Sequence, residues 1–273
     1  MAIESTPHAQ TLGLVAATTA SLFWAVAVVL YRRVGRIMPP VRLNCTKGLV
    51  ASVFIGGYVL VDWLVLDHPQ WSLSSGLLVL MAVSGMIGIG IGDTFFFAGL
   101  NRLGARRMLL LFTINPVFTV IAAWLFLHES LTVWQIIGIG LTCSGVAWVI
   151  AERNTGKSDG HVDALGVLFG LGAATCQATG LLLSRYVFDQ GEMSAGSSAW
   201  LRVLAGSVVL LVILPVDRFL KNPGGAVEVH PTPPTRTRAI LMFAIAMMLG
   251  TVGGISLMQV SVKYAGELGV AST

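Results

Sequence analysis

Long apolar segments and short polar segments alternate along the chain. The apolar windows are each about 20 residues long, the length that a helix needs to cross a hydrocarbon core of roughly 30 Å. Eight such windows are present: Leu12–Leu30, Leu43–Val61, Leu77–Phe97, Met108–Leu127, Val133–Ala151, Ala164–Leu183, Ala199–Val216 and Ala239–Met258. They are apolar on every face instead of alternating at every second residue, which favours helices over barrel strands. The pattern predicts an all-α, polytopic membrane protein with eight complete spans.

The composition agrees with lipid as the solvent of this chain. Hydrophobic residues make up 55% of the sequence and charged residues 11%, whereas charged residues are about a quarter of a soluble protein. Cys45, Cys143 and Cys176 lie inside apolar windows without CxxC spacing, so we expect neither a disulfide framework nor a metal site. The glycine run over Gly85–Gly92 continues an apolar window and indicates close helix packing, not a dinucleotide loop. We expect no cofactor.

The positive charges are distributed unevenly among the loops. Thirteen lysine and arginine residues follow the odd-numbered windows, and two follow the even-numbered windows. Because Lys and Arg in short loops stay on the cytoplasmic side, we expect the odd loops inside and the N-terminus outside. The protein would then be integral to the cell (inner) membrane as a multi-pass protein. The same distribution accounts for the net charge of +4, so nucleic acid is not expected as a partner.

The later part of the chain repeats the earlier part. The surroundings of Trp24 return 153 positions later around Gln177. Three glycines also return, 162 positions later: Gly88, Gly92 and Gly104 as Gly250, Gly254 and Gly266. A unit of five spans is odd, so its copy enters the membrane from the opposite side. Inverted repeats of this kind are typical of transporters whose substrate lies between the two halves.

Three segments carry a family resemblance. These are Gly99–Ala105, Asn115–Thr119 and Leu125–Gly138. Together they resemble the EamA repeat of the drug/metabolite transporter superfamily, with a proline in the fourth helix and a glycine-rich fifth helix. His128 stands where the family has glycine before the glutamate, here Glu129. The resemblance implies ten helices in two inverted five-helix units, a central cavity, and transport of small metabolites or drugs, commonly their export.

The resemblance also divides the chain into two units. Residues 11–151 would form the first EamA-type repeat, and residues 164–273 a second repeat with three helices and the start of its fourth, the ninth helix overall. Thr273 corresponds to Leu111, and the first unit continues for 40 residues beyond that position. We therefore hypothesise that this sequence is a piece of a longer reading frame. A stop codon directly after Thr273 in the source DNA would refute this.

Asp93 is the one acidic residue inside an apolar window. An ionisable group there is costly unless it is paired or faces water. Lys47 lies at a similar predicted depth, about 10 Å to the cytoplasmic side of the centre. Three interpretations stay open: a buried structural ion pair, a proton-exchanging carboxylate whose charge is coupled to substrate occupancy, and direct contact with substrate.

Arg202 occupies the position in the seventh window that matches Lys47 under the repeat. One cation in each half would then face the middle of the membrane. Arginine can hold a carboxylate through two hydrogen bonds, which favours anionic or zwitterionic solutes such as amino acids. The alternative is that Arg202 extends to the outer interface.

Four further polar or amphipathic residues lie within the windows: Trp24, Asn44, Asn115 and Gln177. Each must bond to a neighbouring helix or to a bound solute. Pro116 follows Asn115 and leaves a backbone carbonyl without its helical donor. We take these four, with Lys47, Asp93 and Arg202, as the candidate substrate-binding residues.

These observations favour a secondary transporter that exports small metabolites by alternating access around a midplane cavity. Its partners would be the solute, the membrane lipid and a coupling proton. Two alternatives come from other functional classes. One is a membrane-embedded enzyme that uses Asp67, His68, His128 and Glu129 for acid–base chemistry, although these lack a nucleophile or metal spacing. The other is a non-transporting scaffold, which would need no charges at the midplane.

Overall fold

The structure is a computed structural model that describes residues 7–35, 37–66, 71–126, 132–151, 163–214 and 236–264. In the first half the helical elements are α1 (Pro7–Val34), α2 (Pro40–Leu66), α3 (Ser75–Gly85), the π-helix π1 (Met86–Gly92), α4 (Asp93–Phe112), α5 (Asn115–Phe126) and α6 (Val133–Ala151). In the second half they are α7 (Ala164–Gln190), α8 (Ala195–Ile213), α9 (Arg236–Ala246), the π-helix π2 (Met247–Gly253) and α10 (Gly254–Tyr264). The predicted all-α, polytopic membrane fold is confirmed.

Six helical stretches in the described part of the chain are long and apolar enough to cross a membrane. The first two and the sixth to eighth windows correspond to α1, α2, α7, α8 and the α9–π2–α10 stretch. The third window extends through α3, π1 and α4. The fifth corresponds to α6, where Trp134, Leu141 and Trp148 are exposed, as expected for a helix that faces lipid.

The fourth window differs from the prediction of one continuous span over Met108–Leu127. The backbone leaves the helical conformation at Gly104, with φ of 84° and ψ of 166°, a region that glycine reaches without steric cost. Helical structure then ends at Phe112 and begins again at Asn115. Pro116 lies in the first turn of α5, where its missing N–H is not needed. The fourth span is therefore made of two helical pieces.

The helices of the two halves pack against each other in a reciprocal manner. The first helix of one half, α1, contacts π2 and α10, the third helical stretch of the other half. Conversely, α7 contacts π1 and α4, and the second helices, α2 and α8, contact each other. Much of the packing therefore joins the two halves to each other.

Both third helical stretches contain a seven-residue π-helix at equivalent positions of the sequence repeat. A π-helix widens the turn and loosens the normal backbone bonding, so its carbonyls can accept from side chains of other helices. In π1 the amide of Asn44 donates to the carbonyls of Ile89 and Gly90, at 2.8 and 3.1 Å. In π2 the hydroxyl of Thr251 bonds to that of Tyr31 at 2.9 Å. Each widened segment is held by the opposite or neighbouring helix.

A short antiparallel pair of strands, β1 (Trp71–Ser72) and β2 (Glu192–Met193), links the segment before α3 to the segment between α7 and α8. Lys263 donates to the carbonyl of Met193 at 2.8 Å, which ties the end of α10 to the same place. Several residues of the sequence predictions lie outside the described part: Asp67, His68, His128, Glu129, Gly266 and Thr273.

Candidate substrate-binding cavity

A cavity of about 550 Å³ lies between the two halves. Both halves line it through α1, π1, α4, α5, α7, α8, π2 and α10. Five of the seven predicted site residues are among its lining residues: Trp24, Asp93, Asn115, Gln177 and Arg202. Most of the remaining wall is apolar, as is usual for sites that enclose a small molecule. The two other predicted residues, Asn44 and Lys47, support this wall from behind.

Lys47 and Asp93 form the expected ion pair, between Nζ and Oδ2. The side chain of Lys47 is fully buried, and that of Asp93 keeps 13% of its surface exposed, toward the cavity. Three aromatic rings surround the ammonium, with Nζ 5.0 Å from the ring centre of Phe97 and 5.9 Å from those of Trp24 and Tyr31. Lys47 thus has a counter-ion and cation–π contacts, which together offset the loss of its hydration.

Asn44 is an interhelical contact in this structure. Besides the two π1 carbonyls, its Nδ2 donates to the hydroxyl of Thr94 at 2.9 Å. Its side chain is fully buried. These contacts agree with interhelical hydrogen bonding, one of the two alternatives for this residue, and place it behind the segment that presents Asp93.

Arg202 is 1% exposed and lines the same cavity. Three glycines make room for it. A β-carbon at Gly88 or Gly180 would lie 3.1 Å from its Nη2, and one at Gly85 would collide with its backbone. The glycine run over Gly85–Gly92, which was predicted to allow close helix packing, thus also leaves room for the side chain of Arg202. Arg202 does not extend to an interface.

The guanidinium of Arg202 has no ion pair or hydrogen bond with any residue that the structure describes. Asp93 attracts it electrostatically but is engaged by Lys47. A buried cation without a partner is costly. Arg202 therefore stands out as an uncompensated positive charge at the wall of a largely apolar cavity.

Three further polar or amphipathic residues line the same cavity. The indole Nε1 of Trp24 has no hydrogen-bond partner among the described residues. Gln177, its repeat equivalent, also lines the cavity. Of these two residues, Gln177 carries an amide that can both donate and accept hydrogen bonds. Asn115 is 4% exposed and stands at the junction between α4 and α5.

Sequence reasoning missed three residues around this site. Tyr31 and Phe97 enclose Lys47, and neither carries a signal that distinguishes it from an ordinary core aromatic residue. Ile255 lines the cavity, and here a signal was available. The shift of 162 positions that relates Gly92 to Gly254 also relates Asp93 to Ile255.

A second ion pair lies away from the cavity, between Arg102 of α4 and Asp163 at the start of α7. The guanidinium donates to both carboxylate oxygens at 2.9–3.2 Å. Asp163 also accepts from the backbone N–H of Gly166 at 3.0 Å as the N-cap of α7. Burial raises the pKa of Asp163, but these hydrogen bonds and the positive charge outweigh it, so the pKa lies below its ordinary value. This pair fastens the two halves at their periphery.

Comparison with known proteins gives one family and several relatives. The model of the EamA-like transporter family matches residues 11–151. The uncharacterized transporter YvbV of Bacillus subtilis (strain 168) is 35% identical over 133 residues, which are 48% of this chain and 41% of the relative. The uncharacterized inner membrane transporter YhbE of Escherichia coli (strain K12) is 25% identical over 173 residues, 60% of this chain and 51% of the relative.

The chain therefore spans about half the length of the curated relatives it matches. The fold is similar to that of a protein of known crystal structure, with a TM-score of 0.66 at 16% identity. That match covers 97% of this chain and 83% of the other. At this identity the likeness concerns the fold alone.

Proposed function

Because this chain belongs to the EamA-like transporter family, we propose that it is a secondary transporter of the inner membrane that carries small anionic or zwitterionic solutes. The observation that carries the proposal is Arg202, a buried guanidinium without a partner in the described structure, at the wall of a cavity between the two halves. A carboxylate can accept two parallel hydrogen bonds from such a group. The names of the family and of both relatives are those of transporters.

The placement of the cavity supports alternating access as the mechanism. Its walls come from both halves, and the contacts between the halves are reciprocal. In inverted-repeat transporters, one repeat rocks against the other around a site that stays near the midplane. We propose that 11–151 and 164–273 belong to two such inverted repeats.

The Lys47–Asp93 pair is the proposed site of proton coupling. Asp93 faces the cavity on one side and Lys47 on the other, so a change in its protonation would alter the charge that a solute meets. Protonation of Asp93 would leave Lys47 as a second positive charge beside the cavity. Solute occupancy and proton occupancy would then be linked, as a coupled transporter requires. Export is the direction that the family resemblance implies.

Solute flux tests the proposed function. The protein is reconstituted in vesicles of phosphatidylethanolamine and phosphatidylglycerol, and uptake of labelled carboxylates and amino acids is followed with and without a pH gradient. We expect saturable flux of at least one solute, lost in Arg202→Gln. Arg33→Gln is the matched control, because it removes the same charge from an exposed position at the end of α1. Flux that is indifferent to Arg202→Gln would contradict the proposal.

A transported solute should also reveal the coupling. Asp93→Asn keeps the shape of the side chain but cannot release a proton. If Asp93 is the coupling group, this variant should still exchange labelled solute across the vesicle while losing acceleration by the pH gradient. An Asp93→Asn variant with unchanged pH dependence would remove Asp93 from the coupling mechanism.

A further inference from the structure

The two halves contain equivalent cations, but the equivalent counter-ion is present in only one of them. Lys47 in α2 matches Arg202 in α8, and Asp93 after π1 matches Ile255 after π2. Lys47 is paired with Asp93. Arg202, for which the sequence counterpart of Asp93 is an isoleucine, forms no ion pair with a residue that the structure describes, and the acidic residue that attracts it, Asp93, is already paired with Lys47. The asymmetry leaves one positive charge beside the cavity.

We propose that the carboxylate of the solute supplies the missing half of this pair, and that the site selects organic monoanions with an apolar body over zwitterions. This inference rests on the proposed function and narrows its solute class. The bound carboxylate would accept from the guanidinium of Arg202, in the role that Asp93 has toward Lys47. Lys47 and Asp93 balance each other, so one negative charge on the solute balances the remaining positive charge of Arg202.

The charges around the cavity argue against a free amino group on the solute. Asp93 is the one acidic residue among the lining residues that the structure describes. Its charge is already balanced by Lys47, whose side chain is fully buried. The ammonium of an amino acid would therefore enter the chamber without a counter-ion of its own, which is unfavourable on burial.

The remaining wall suits an apolar body of modest size. Leu109, Phe112, Ile255 and Met258 contribute apolar surface, and the volume of about 550 Å³ is within the range of small-molecule sites. Trp24 also lines this wall. An aliphatic or aromatic monocarboxylate has a carboxylate for Arg202 at one end and an apolar body for the remaining wall at the other.

Binding of three matched ligands to the solubilised full chain tests the selectivity. They are 3-phenylpropanoate, phenylalanine, which adds an α-ammonium, and 2-phenylethylamine, which lacks the carboxylate. By titration calorimetry we expect 3-phenylpropanoate to bind at least about tenfold more tightly than phenylalanine, the factor expected from leaving one buried polar group unpaired. The amine should not bind. Equal or tighter binding of phenylalanine would overturn the inference, as would a failure of 3-phenylpropanoate to bind.

A substitution that restores the symmetry gives an independent test. Ile255→Asp places a carboxylate where the first half has Asp93, and Ile255→Asn is the neutral control of the same size. We expect Ile255→Asp to reduce binding of 3-phenylpropanoate at least about tenfold, because an internal anion competes for Arg202, while Ile255→Asn retains most of it. Equal losses in both variants would show that Ile255 acts through shape, and would contradict the charge argument. A melting temperature for each variant establishes that it is folded.

The two levels of proposal fail in different ways. If 3-phenylpropanoate binds as expected but the reconstituted protein moves no solute, the transporter proposal fails and the assignment of the cavity stands. If the protein transports phenylalanine in preference to 3-phenylpropanoate, the transporter proposal stands and the monoanion inference is wrong.

Discussion

Lys47 and Arg202 are equally buried cations at equivalent positions of the two halves, yet their surroundings differ. Lys47 contacts a carboxylate and three aromatic rings. Arg202 is packed among glycines at the wall of the cavity, without an ion pair to a described residue. One environment is completed by the protein itself, and the other is left incomplete. The comparison teaches that equal burial does not mean equal surroundings, because one buried cation is compensated by the protein and the other is not.

The difference has an energetic consequence for the empty protein. A buried ion pair roughly balances its own desolvation, but loss of one partner leaves an uncompensated charge. The first half should therefore be sensitive to removal of its acidic residue. The second half already carries an uncompensated charge, so removal of its cation should relieve a cost. We therefore expect removal of the Asp93 charge to lower the free energy of unfolding, and removal of the Arg202 charge to raise it.

The largest expected effect comes from breaking the complete pair. Asp93→Asn leaves the ammonium of Lys47 buried without a counter-ion, and we expect a loss of about 3–5 kcal/mol in the free energy of unfolding. Equilibrium unfolding in mixed micelles measures it. The double variant Lys47→Met with Asp93→Leu removes both charges and should recover most of the loss, because an apolar pair replaces a buried ion pair at little cost. If the double variant is as unstable as Asp93→Asn, packing and not charge dominates this site.

The opposite sign is expected for Arg202. In the empty protein, Arg202→Gln removes a charge that has no partner, and the shorter side chain enlarges an existing cavity instead of creating a closed void. We expect the free energy of unfolding to rise by roughly 1–3 kcal/mol, the cost of an unsatisfied buried polar group. Arg33→Gln, on the exposed end of α1, should change it by less than about 0.5 kcal/mol. Destabilisation of Arg202→Gln would indicate a structural role and break the comparison.

Several parts of this comparison could be read from the sequence. Asp93 and Lys47 were predictable partners, since charges inside apolar windows at the same depth have few alternatives. The apolar windows gave the spans, and Gly104 and the Asn115–Pro116 pair are local signals for the two breaks near the fourth span, although the prediction treated that window as one helix. These features follow from local chemistry and spacing.

Other parts depend on contacts between distant segments. The π-helices are held by Asn44 and Tyr31 from other helices, so their local sequence alone does not specify them. Arg202 was identified from the repeat, but its lack of a partner follows from the packing of α8 against three glycines of two other helices. Propensity and periodicity contain no information about such pairings, because they describe one helix at a time.

The smallest effect is expected at the peripheral pair of Arg102 and Asp163, which serves as a scale for the two buried sites. The side chains keep 21% and 34% of their surface, so solvent screens the attraction. Asp163→Asn retains an oxygen that can cap α7 and loses the charge, and we expect a loss of less than about 1 kcal/mol at neutral pH. Asp163→Ala also loses the cap and should cost about 1 kcal/mol more.

The pH dependence of the Asp163 contribution follows from its lowered pKa. The folded state favours the carboxylate, so the contribution is fully present above the unfolded pKa of about 3.9. It is lost as the pH falls through the still lower pKa of the folded state. The stability difference between the parent chain and Asp163→Asn should therefore be constant from pH 7 to 5 and shrink below about pH 4. Because this pair is partly exposed and the Lys47–Asp93 pair is buried, raising the salt concentration should reduce the Asp163 effect and leave the Asp93 effect nearly unchanged. Equal salt sensitivity of the two would mean that water reaches Lys47, and the contrast between a completed and an incomplete site would then lose its physical basis.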